Sequence, residues 1–242
     1  MTSKPILKIA IRGHVRDSFS TNKLYEFLKR LTQMYDTQFY IHTWDVKQVS
    51  MSWRPMKDDP TPVTEHRINT YFRDLAKNIK VIFIENDSEA RLSGNTEGKL
   101  ASTRTPVLGW KRYVYSQFRV LEHLYLVTKD EHDFLLNMRF DLFSNSYVFP
   151  MEEVVRFVIK SRARPNLREN VFMRDGMYCG VDNIFAGTIK SNYEMLEILH
   201  DAVDELVDAK PDIKNPEFFF PIANELLKDG WRVGDYFLDS VL

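Results

Sequence analysis

The chain of 242 residues contains a single cysteine, Cys179. One cysteine excludes an intramolecular disulfide and a cysteine-rich zinc site, and it is typical of a protein made for a reducing compartment. An excess of charge is also missing, since 33 Lys and Arg face 34 Asp and Glu for a net charge of −1. No overall field favours nucleic acid or an anionic membrane surface, so a phosphate site would have to be local.

Long hydrophobic runs are missing too. The N-terminal segment leads straight into a short strand-like run, without the apolar region of about 7–15 residues that a secretory signal contains. No apolar stretch approaches the roughly 20 residues needed to span a bilayer. We therefore expect a cytoplasmic protein without a membrane span.

Four common catalytic motifs do not occur in the sequence. The absence of Gly-x-Gly-x-x-Gly and of Gly-x-x-x-x-Gly-Lys-Ser/Thr excludes the dinucleotide fingerprint and the P-loop. The absence of His-Glu-x-x-His and of Gly-x-Ser-x-Gly disfavours zinc enzymes and serine hydrolases.

What is present is enough apolar material for a large core. Hydrophobic residues make up 44% of the chain and aromatic residues 13%. No internal repeat, low-complexity tract or change of composition marks a linker. We expect one domain that spans residues 1–242.

Strand-like and helix-like patterns alternate along the first part of the chain. The predicted strands are 6–11, 38–44, 79–84 and 134–143, and the predicted helices between them are 21–35, 63–78 and 111–128. Three successive β-α-β steps predict a mainly parallel sheet flanked by helices, the α/β class. The polar stretch 85–110, between the predicted strand 79–84 and the predicted helix 111–128, is predicted to be a long surface loop, and we consider it a candidate lid.

The remainder of the chain is predicted to be more irregular. A helix over 151–161 precedes an irregular segment, 169–183, and the apolar run 184–186. Further helices are predicted over 191–207 and 218–228, and a terminal strand over 231–233.

Charged residues end the fourth predicted strand, where Arg139 and Asp141 follow a buried apolar run. A carboxylate at such a position is costly unless it is paired, hydrogen-bonded or bound to a cation. The carboxyl ends of strands in open α/β sheets are also where ligands bind. The alternative is an ion pair that only ties a loop to the sheet.

The first strand ends in Arg12-Gly-His-Val-Arg16. Gly13 lets the backbone approach a ligand, and the arginines offer donors to phosphate oxygens. A solvated basic turn is the alternative. His42 and Trp44 end the second strand and share one face of it, although a lone histidine is more often a hydrogen-bonded structural residue.

Asp182 lies between glycines and an apolar strand, in the run Cys179-Gly-Val-Asp-Asn183. In that position its carboxylate could reach a cleft and act as a general base. An ordinary turn aspartate explains the same sequence.

The order of these motifs resembles that of a GT-A-type glycosyltransferase, and in particular the small enzymes that build surface polysaccharides or glycans in bacteria and large viruses. The resemblance runs from Ile6 to about Val233. Four runs carry it: Ile9-Ala-Ile-Arg-Gly-His-Val-Arg16, Phe39-Tyr-Ile-His-Thr-Trp-Asp45, Ile82-Phe-Ile84 and Leu135-Leu-Asn-Met-Arg-Phe-Asp141.

The resemblance implies a nucleoside-diphosphate sugar as donor and a hydroxyl of a glycan or glycoconjugate as acceptor. In that family the first strand and its loop hold the nucleotide, and an acidic motif after the fourth strand meets the diphosphate, commonly through Mn²⁺ or Mg²⁺. The implied donor-binding residues are Arg12, Gly13, His14, Arg16, His42, Trp44, Arg139 and Asp141, with Asp141 also the metal ligand. By the same resemblance Asp182 is the catalytic base of an inverting reaction, and Pro216-Glu217 belongs to the part that closes the site.

The sequence departs from the family at one point, because the usual Asp-x-Asp would place its first carboxylate at Arg139. We hypothesise that this arginine neutralises diphosphate charge with less help from a divalent ion. The alternative functions are a non-catalytic α/β module that binds a nucleotide or glycan, and a transferase of another phosphate group, which the missing P-loop disfavours.

Overall fold

The computed structural model describes residues 4–51, 56–144, 149–164, 170–174 and 180–227, and the backbone of 234–237. Cys179 and the predicted strand 231–233 lie outside these ranges.

Within the described residues the chain forms nine strands and seven α-helices. The strands are β1 Ile6–Arg12, β2 Asp36–Trp44, β3 Val46–Gln48, β4 Asp59–Pro62, β5 Ile79–Glu85, β6 Phe134–Arg139, β7 Val171–Arg174, β8 Ile184–Thr188 and β9 Gly234–Phe237. The helices are α1 Lys23–Met34, α2 Glu65–Phe72, α3 Val107–Val127, α4 Met151–Arg162, α5 Ile189–Asp201, α6 Val203–Ala209 and α7 Phe219–Glu225. None of the described helices has the length and apolar character needed to cross a membrane.

Seven strands form the central sheet, in the order β5-β2-β1-β6-β8-β7-β9. Only β8 runs antiparallel to its neighbours, and the other pairs are parallel. The chain builds from β1 outward to β2 and β5, then returns to place β6 on the other side of β1. This reversal is a topological switch point. The predicted α/β class, with a mainly parallel sheet flanked by helices, is confirmed.

The sheet has a hydrophobic layer on each face. Leu7, Ile9 and Ile11 of β1 alternate with Lys8, Ala10 and Arg12, as the two-residue period of a strand requires. The first set packs in a core with α1, α2 and α4. Ala10 joins the opposite core, which α3, α5 and α7 cover. Arg12 is the last residue of β1, and its side chain lies on the same face as Ala10, towards α3.

Several predicted boundaries were wrong. The strand predicted over 134–143 ends at Arg139, because the next residues turn and Ser144 N donates to Asp141 O at 3.0 Å. The helix predicted over 63–78 breaks at Arg73, whose φ is 53°. The helix predicted over 191–207 divides at Ala202 into α5 and α6. The β3–β4 hairpin and strand β7 were not predicted.

The segment predicted as a lid is held against the helices. Lys111 Nζ, only 4% exposed, donates to Ser93 O at 2.6 Å and pairs with Asp204 of α6. Asn95 N donates to the same carboxylate at 2.8 Å, and Ser102 Oγ donates to Pro211 O at 2.8 Å. These bonds fix the segment, and they do not favour the lid hypothesis.

Candidate functional site

A cavity of about 340 Å³ opens at the carboxyl ends of β1, β2 and β6, beside the switch point. This is the position at which open α/β sheets bind ligands. Seven of the nine residues singled out from the sequence line it: Gly13, His14, Arg16, Trp44, Arg139, Asp141 and Asp182. The other two, Arg12 and His42, are fully buried beneath it.

Strand register explains why these residues meet. Arg12 pairs in register with His42 of β2 on one side and with Arg139 of β6 on the other. The three side chains therefore form one row across the sheet, just below its carboxyl edge. The loop after β1 then leaves this edge through Gly13, whose φ of 90° belongs to the left-handed region that glycine adopts without strain.

Asp141 is the centre of a charged cluster in the cavity. Its carboxylate accepts two hydrogen bonds from Arg139, from Nε at 2.7 Å and from Nη2 at 2.8 Å. Arg16 Nη1 donates a third bond at 2.6 Å, and the Asp141 side chain is only 3% exposed. Burial alone would raise the pKa of Asp141, but the two guanidinium charges outweigh it and hold that pKa well below its ordinary value. The carboxylate stays ionised and fixes both arginines.

Arg16 reaches this cluster from an uncommon backbone conformation. Its φ is 46°, in the left-handed region that non-glycine residues rarely enter. Such strain is typical of functional sites, where the surrounding structure enforces it. The hydrogen bond from Arg16 to Asp141 is one contact that stabilises this conformation.

Asp182 is on a tight turn that lines the same cavity. Gly180 has a φ of 82°, and Asn183 N donates to Gly180 O at 2.9 Å. Asn183 O in turn accepts from the backbone N of Arg139 at 3.0 Å, which ties the turn to the end of β6. Asp182 is 8% exposed, and its Oδ1 has no hydrogen-bond partner among the described residues.

The charged groups of this corner do not fit a divalent cation in the observed arrangement. Arg139 lies between two carboxylates, bonded to Asp141 and with Nη1 3.8 Å from Asp182 Oδ2. A guanidinium thus stands between the oxygens that a metal would need. In the described part of the chain, no three His, Cys, Asp or Glu side chains form a group able to hold a metal ion. The described residues therefore offer no donor set for the expected Mn²⁺ or Mg²⁺ at Asp141.

The two histidines at the site are held as neutral rings, with His42 fully buried and His14 partly exposed. Burial, with help from the charge of Arg16, lowers the pKa of His14 to about 3. Burial also lowers the pKa of His42, whose Nε2 lies 3.3 Å from Glu85 Oε2. His42 packs edge-on against Trp44, with ring centroids 4.9 Å apart. His42 therefore lies behind Trp44, which lines the cavity.

These pKa shifts predict a loss of stability in mild acid. A histidine with a lowered pKa adds stability above its unfolded value of about 6.5, and this is lost as the pH falls towards the folded value. Carboxylates such as Asp141 act in the same direction, but only below about pH 4.5. In the wild-type protein the free energy of unfolding should fall between pH 7 and pH 5. We expect His14→Gln to make this fall smaller by up to about 2 kcal/mol, as measured by urea unfolding at the two pH values. His132→Gln, at a 69% exposed side chain, is the control. An unchanged decline in His14→Gln would contradict the prediction.

Other cavity residues were not found from the sequence. The lining also includes Met51, Met56, Asp87, Arg112 and Tyr113. Arg112 Nη1 pairs with Asp87 Oδ2 at 2.9 Å. Tyr113, in the second turn of α3, was not singled out from the sequence as a site residue. Glu217 lines the cavity as the Pro216-Glu217 resemblance implied, and its Oε2 accepts a hydrogen bond from Gly180 N.

No protein-family model matches the chain, and no curated protein sequence does so either. Among solved structures, 4-diphosphocytidyl-2C-methyl-D-erythritol synthase from Anaerococcus prevotii is 10% identical, with 97% of this chain and 87% of that chain covered and a TM-score of 0.43. An active-site mutant of LgtC is 12% identical, with 97% and 73% covered and a TM-score of 0.45. Glucosyl-3-phosphoglycerate synthase from Mycobacterium tuberculosis, in complex with Mg²⁺ and UDP, is 9% identical, with 86% and 66% covered and a TM-score of 0.37. We draw no functional argument from matches this distant.

Proposed function

We propose that the chain is a glycosyltransferase that moves a sugar from a nucleoside diphosphate to a hydroxyl of a glycan or glycoconjugate. One observation carries the proposal. Two arginines, Arg16 and Arg139, are fixed by Asp141 in the same cavity as a buried carboxylate, Asp182, that has an unbonded oxygen. A diphosphate needs cationic donors, and an acceptor hydroxyl needs a base.

The cationic donors of this corner are local. The guanidiniums of Arg16 and Arg139 both bond to Asp141, and the carboxylates of Asp182 and Glu217 also line the cavity. Arginine donors in a fixed geometry suit phosphate oxygens. We therefore propose that Arg16 and Arg139 hold the diphosphate and that Asp141 orients them.

The adjoining wall is apolar and suits a nucleoside. His14 and Trp44 have ring centroids 6.0 Å apart, and both line the cavity with Met51 and Met56. Neutral aromatic and thioether side chains pack against a base or sugar face without a charge to desolvate. Gly13 leaves space for this contact, since no atom lies within 4 Å of where its Cβ would be. In this proposal Arg12 and His42 support the wall from below.

The proposed reaction is a single displacement at the anomeric carbon. Asp182 takes the proton of the acceptor hydroxyl while its oxygen forms a bond to that carbon. The bond from the same carbon to the diphosphate oxygen breaks, and the nucleoside diphosphate leaves with the electron pair. Arg16 and Arg139 stabilise the charge that develops on it. A base on the acceptor side implies inversion of configuration.

We propose that the arginines supply the charge neutralisation for which the family commonly uses a metal. The test is a thermal-shift screen against UDP, GDP, CDP and their sugars, in EDTA and in Mn²⁺. A ligand that binds only the native state raises the melting temperature. We expect one nucleotide class to stabilise the protein equally in both conditions and its sugar to be turned over with release of nucleoside diphosphate. Stabilisation only in Mn²⁺ would overturn the metal-independent proposal.

The same screen separates the alternative functions. A binding module would be stabilised by a nucleotide or a glycan without ever releasing nucleoside diphosphate from the sugar donor. Absence of any shift with every nucleotide would contradict the glycosyltransferase proposal itself.

A further inference from the structure

One peptide group of the turn at Asp182 is hydrogen-bonded through both its carbonyl oxygen and its amide nitrogen. It joins Asp182 to Asn183. Its carbonyl oxygen accepts a hydrogen bond from Tyr113 Oη at 2.5 Å and a second from Arg12 Nη2. Its amide nitrogen donates to Gly180 O at 2.9 Å. The backbone beside the Asp182 side chain is therefore fixed by two side chains that come from distant parts of the sequence.

Arg12 is an unusual donor for this task. Its side chain is fully buried, and among the described residues no carboxylate is within ion-pair distance of it. Its other bonds go to neutral acceptors, Asn137 Oδ1 at 3.0 Å and Tyr113 Oη at 2.8 Å. A buried cation without an ion pair costs folding stability, so a stabilising role does not account for the position of Arg12.

Tyr113 links this cation to the cavity. Its hydroxyl accepts from Arg12 and donates to the Asp182 carbonyl, while its ring lines the cavity. The guanidinium carbons of Arg12 and Arg139 lie 5.0 Å and 5.7 Å from the ring centroid. Burial raises the pKa of Tyr113 well above its ordinary value, so the hydroxyl remains a donor at all physiological pH values.

We infer that Arg12 and Tyr113 are positioning residues for Asp182, acting through its peptide carbonyl to fix the distance from its carboxylate to the acceptor. The inference rests on the proposed function, because it takes Asp182 as the base. Small displacements of a reacting group are expensive, since a shift of about 1 Å can cost about 100-fold in rate. Arg12 thus acts behind the site and does not contact the donor.

The first test uses Tyr113→Phe, which removes one hydroxyl and keeps the ring. The readout is amide hydrogen exchange at Asn183, the N–H of the supported peptide group. Tyr71→Phe is the matched control, because the buried Tyr71 hydroxyl also donates to a backbone carbonyl, Thr21 O at 3.0 Å, and accepts from Tyr25 N. We expect at least tenfold faster exchange at Asn183 in Tyr113→Phe and no change there in Tyr71→Phe. Equal exchange in both variants would overturn the inference.

The second test measures the base directly. The screened donor that releases most nucleoside diphosphate is offered either water, which must be deprotonated, or azide, which is an anion and needs no base. We expect Tyr113→Phe to lower kcat about tenfold or more with water, with azide turnover and the Kd for nucleoside diphosphate unchanged. Arg12→Lys should show the same selective loss, because a lysine lacks the planar guanidinium whose three nitrogens donate to Asn137, Tyr113 and Asp182. An equal loss with water and azide would reduce both residues to a structural role.

The two tests keep the separate failures apart. If the wild-type protein turns over no donor, the proposed function fails while the exchange experiment still decides whether Tyr113 supports the Asp182 peptide. If turnover is present and exchange at Asn183 is unchanged in Tyr113→Phe, the positioning role fails and the proposed function stands.

Discussion

Replacement of Asp182 by Asn is expected to lower sugar transfer by about 10²- to 10⁴-fold, the usual contribution of a general base. The substitution keeps the size of the side chain and leaves the peptide carbonyl bonded to Arg12 and Tyr113. Arg16 and Arg139, the residues proposed to bind the diphosphate, keep their bonds to Asp141, so the Kd for nucleoside diphosphate should change little. Initial rates of nucleoside diphosphate release and calorimetric titration measure the two quantities.

Azide and a matched variant complete this experiment. Azide should restore turnover in Asp182→Asn, because an anionic acceptor needs no base, and its product should have inverted configuration. The control is Asp45→Asn, at an aspartate that follows β2 at the same edge of the sheet and accepts from Asn86 Nδ2 at 2.9 Å outside the cavity. Transfer at the wild-type rate in Asp182→Asn would remove this residue from the mechanism.

The sequence was sufficient to predict the parallel half of the sheet, because local patterns determine it. In β1, hydrophobic residues alternate faces, and α1 follows with apolar residues at helical spacing. Once these strands are parallel, their ends must share one edge of the sheet. The meeting of Arg16, Arg139 and Asp141 follows from that geometry, which is why the motif at the end of the fourth predicted strand was informative.

The parts that were missed depend on contacts between distant segments. Strand β7 is only four residues long and fully buried, so its residues show no alternation, and β8 defines it by pairing. The sequence pattern is also ambiguous for Tyr113, since it does not distinguish an aromatic core residue of α3 from one that lines a cavity. Its partners Arg12 and Asp182 are 101 and 69 residues away. No local pattern encodes such a bond.

The role of Arg12 illustrates a second limit of sequence reasoning. An arginine beside a glycine at a strand end favours a contact with phosphate, and that contact remains the pattern's simplest interpretation. The side chain points along the α3 face of the sheet, where Asn137 and Tyr113 enclose it. Which arginine of Arg12-Gly-His-Val-Arg16 faces the cavity depends on the turn at Gly13, and it is Arg16 that lines the cavity.

Replacement of Asp141 by Asn is expected to damage both the fold and the activity. Asp141 is the carboxylate that bonds Arg139 and Arg16, and one amide oxygen cannot accept all three of the donors that now reach it. Loss of one partner of a buried ion pair leaves an uncompensated charge. Because Arg16 and Arg139 retain 22% and 18% exposure, we expect the lower end of the usual cost, about 3 kcal/mol in the free energy of unfolding. Urea unfolding measures it.

Turnover should fall further than stability explains in the same variant. The two arginines lose the group that orients them, and removal of a preorganised charge that stabilises a leaving group typically costs about 10²- to 10³-fold in kcat. Asp133→Asn is the matched control, because Asp133 precedes the same strand and pairs with Lys8 at 2.7 Å, but is 42% exposed. Its loss should cost at most about 1 kcal/mol and no activity. Wild-type turnover in a folded Asp141→Asn protein would mean that the arginines act without their carboxylate. That result would show that Asp141 only ties the loop to the sheet.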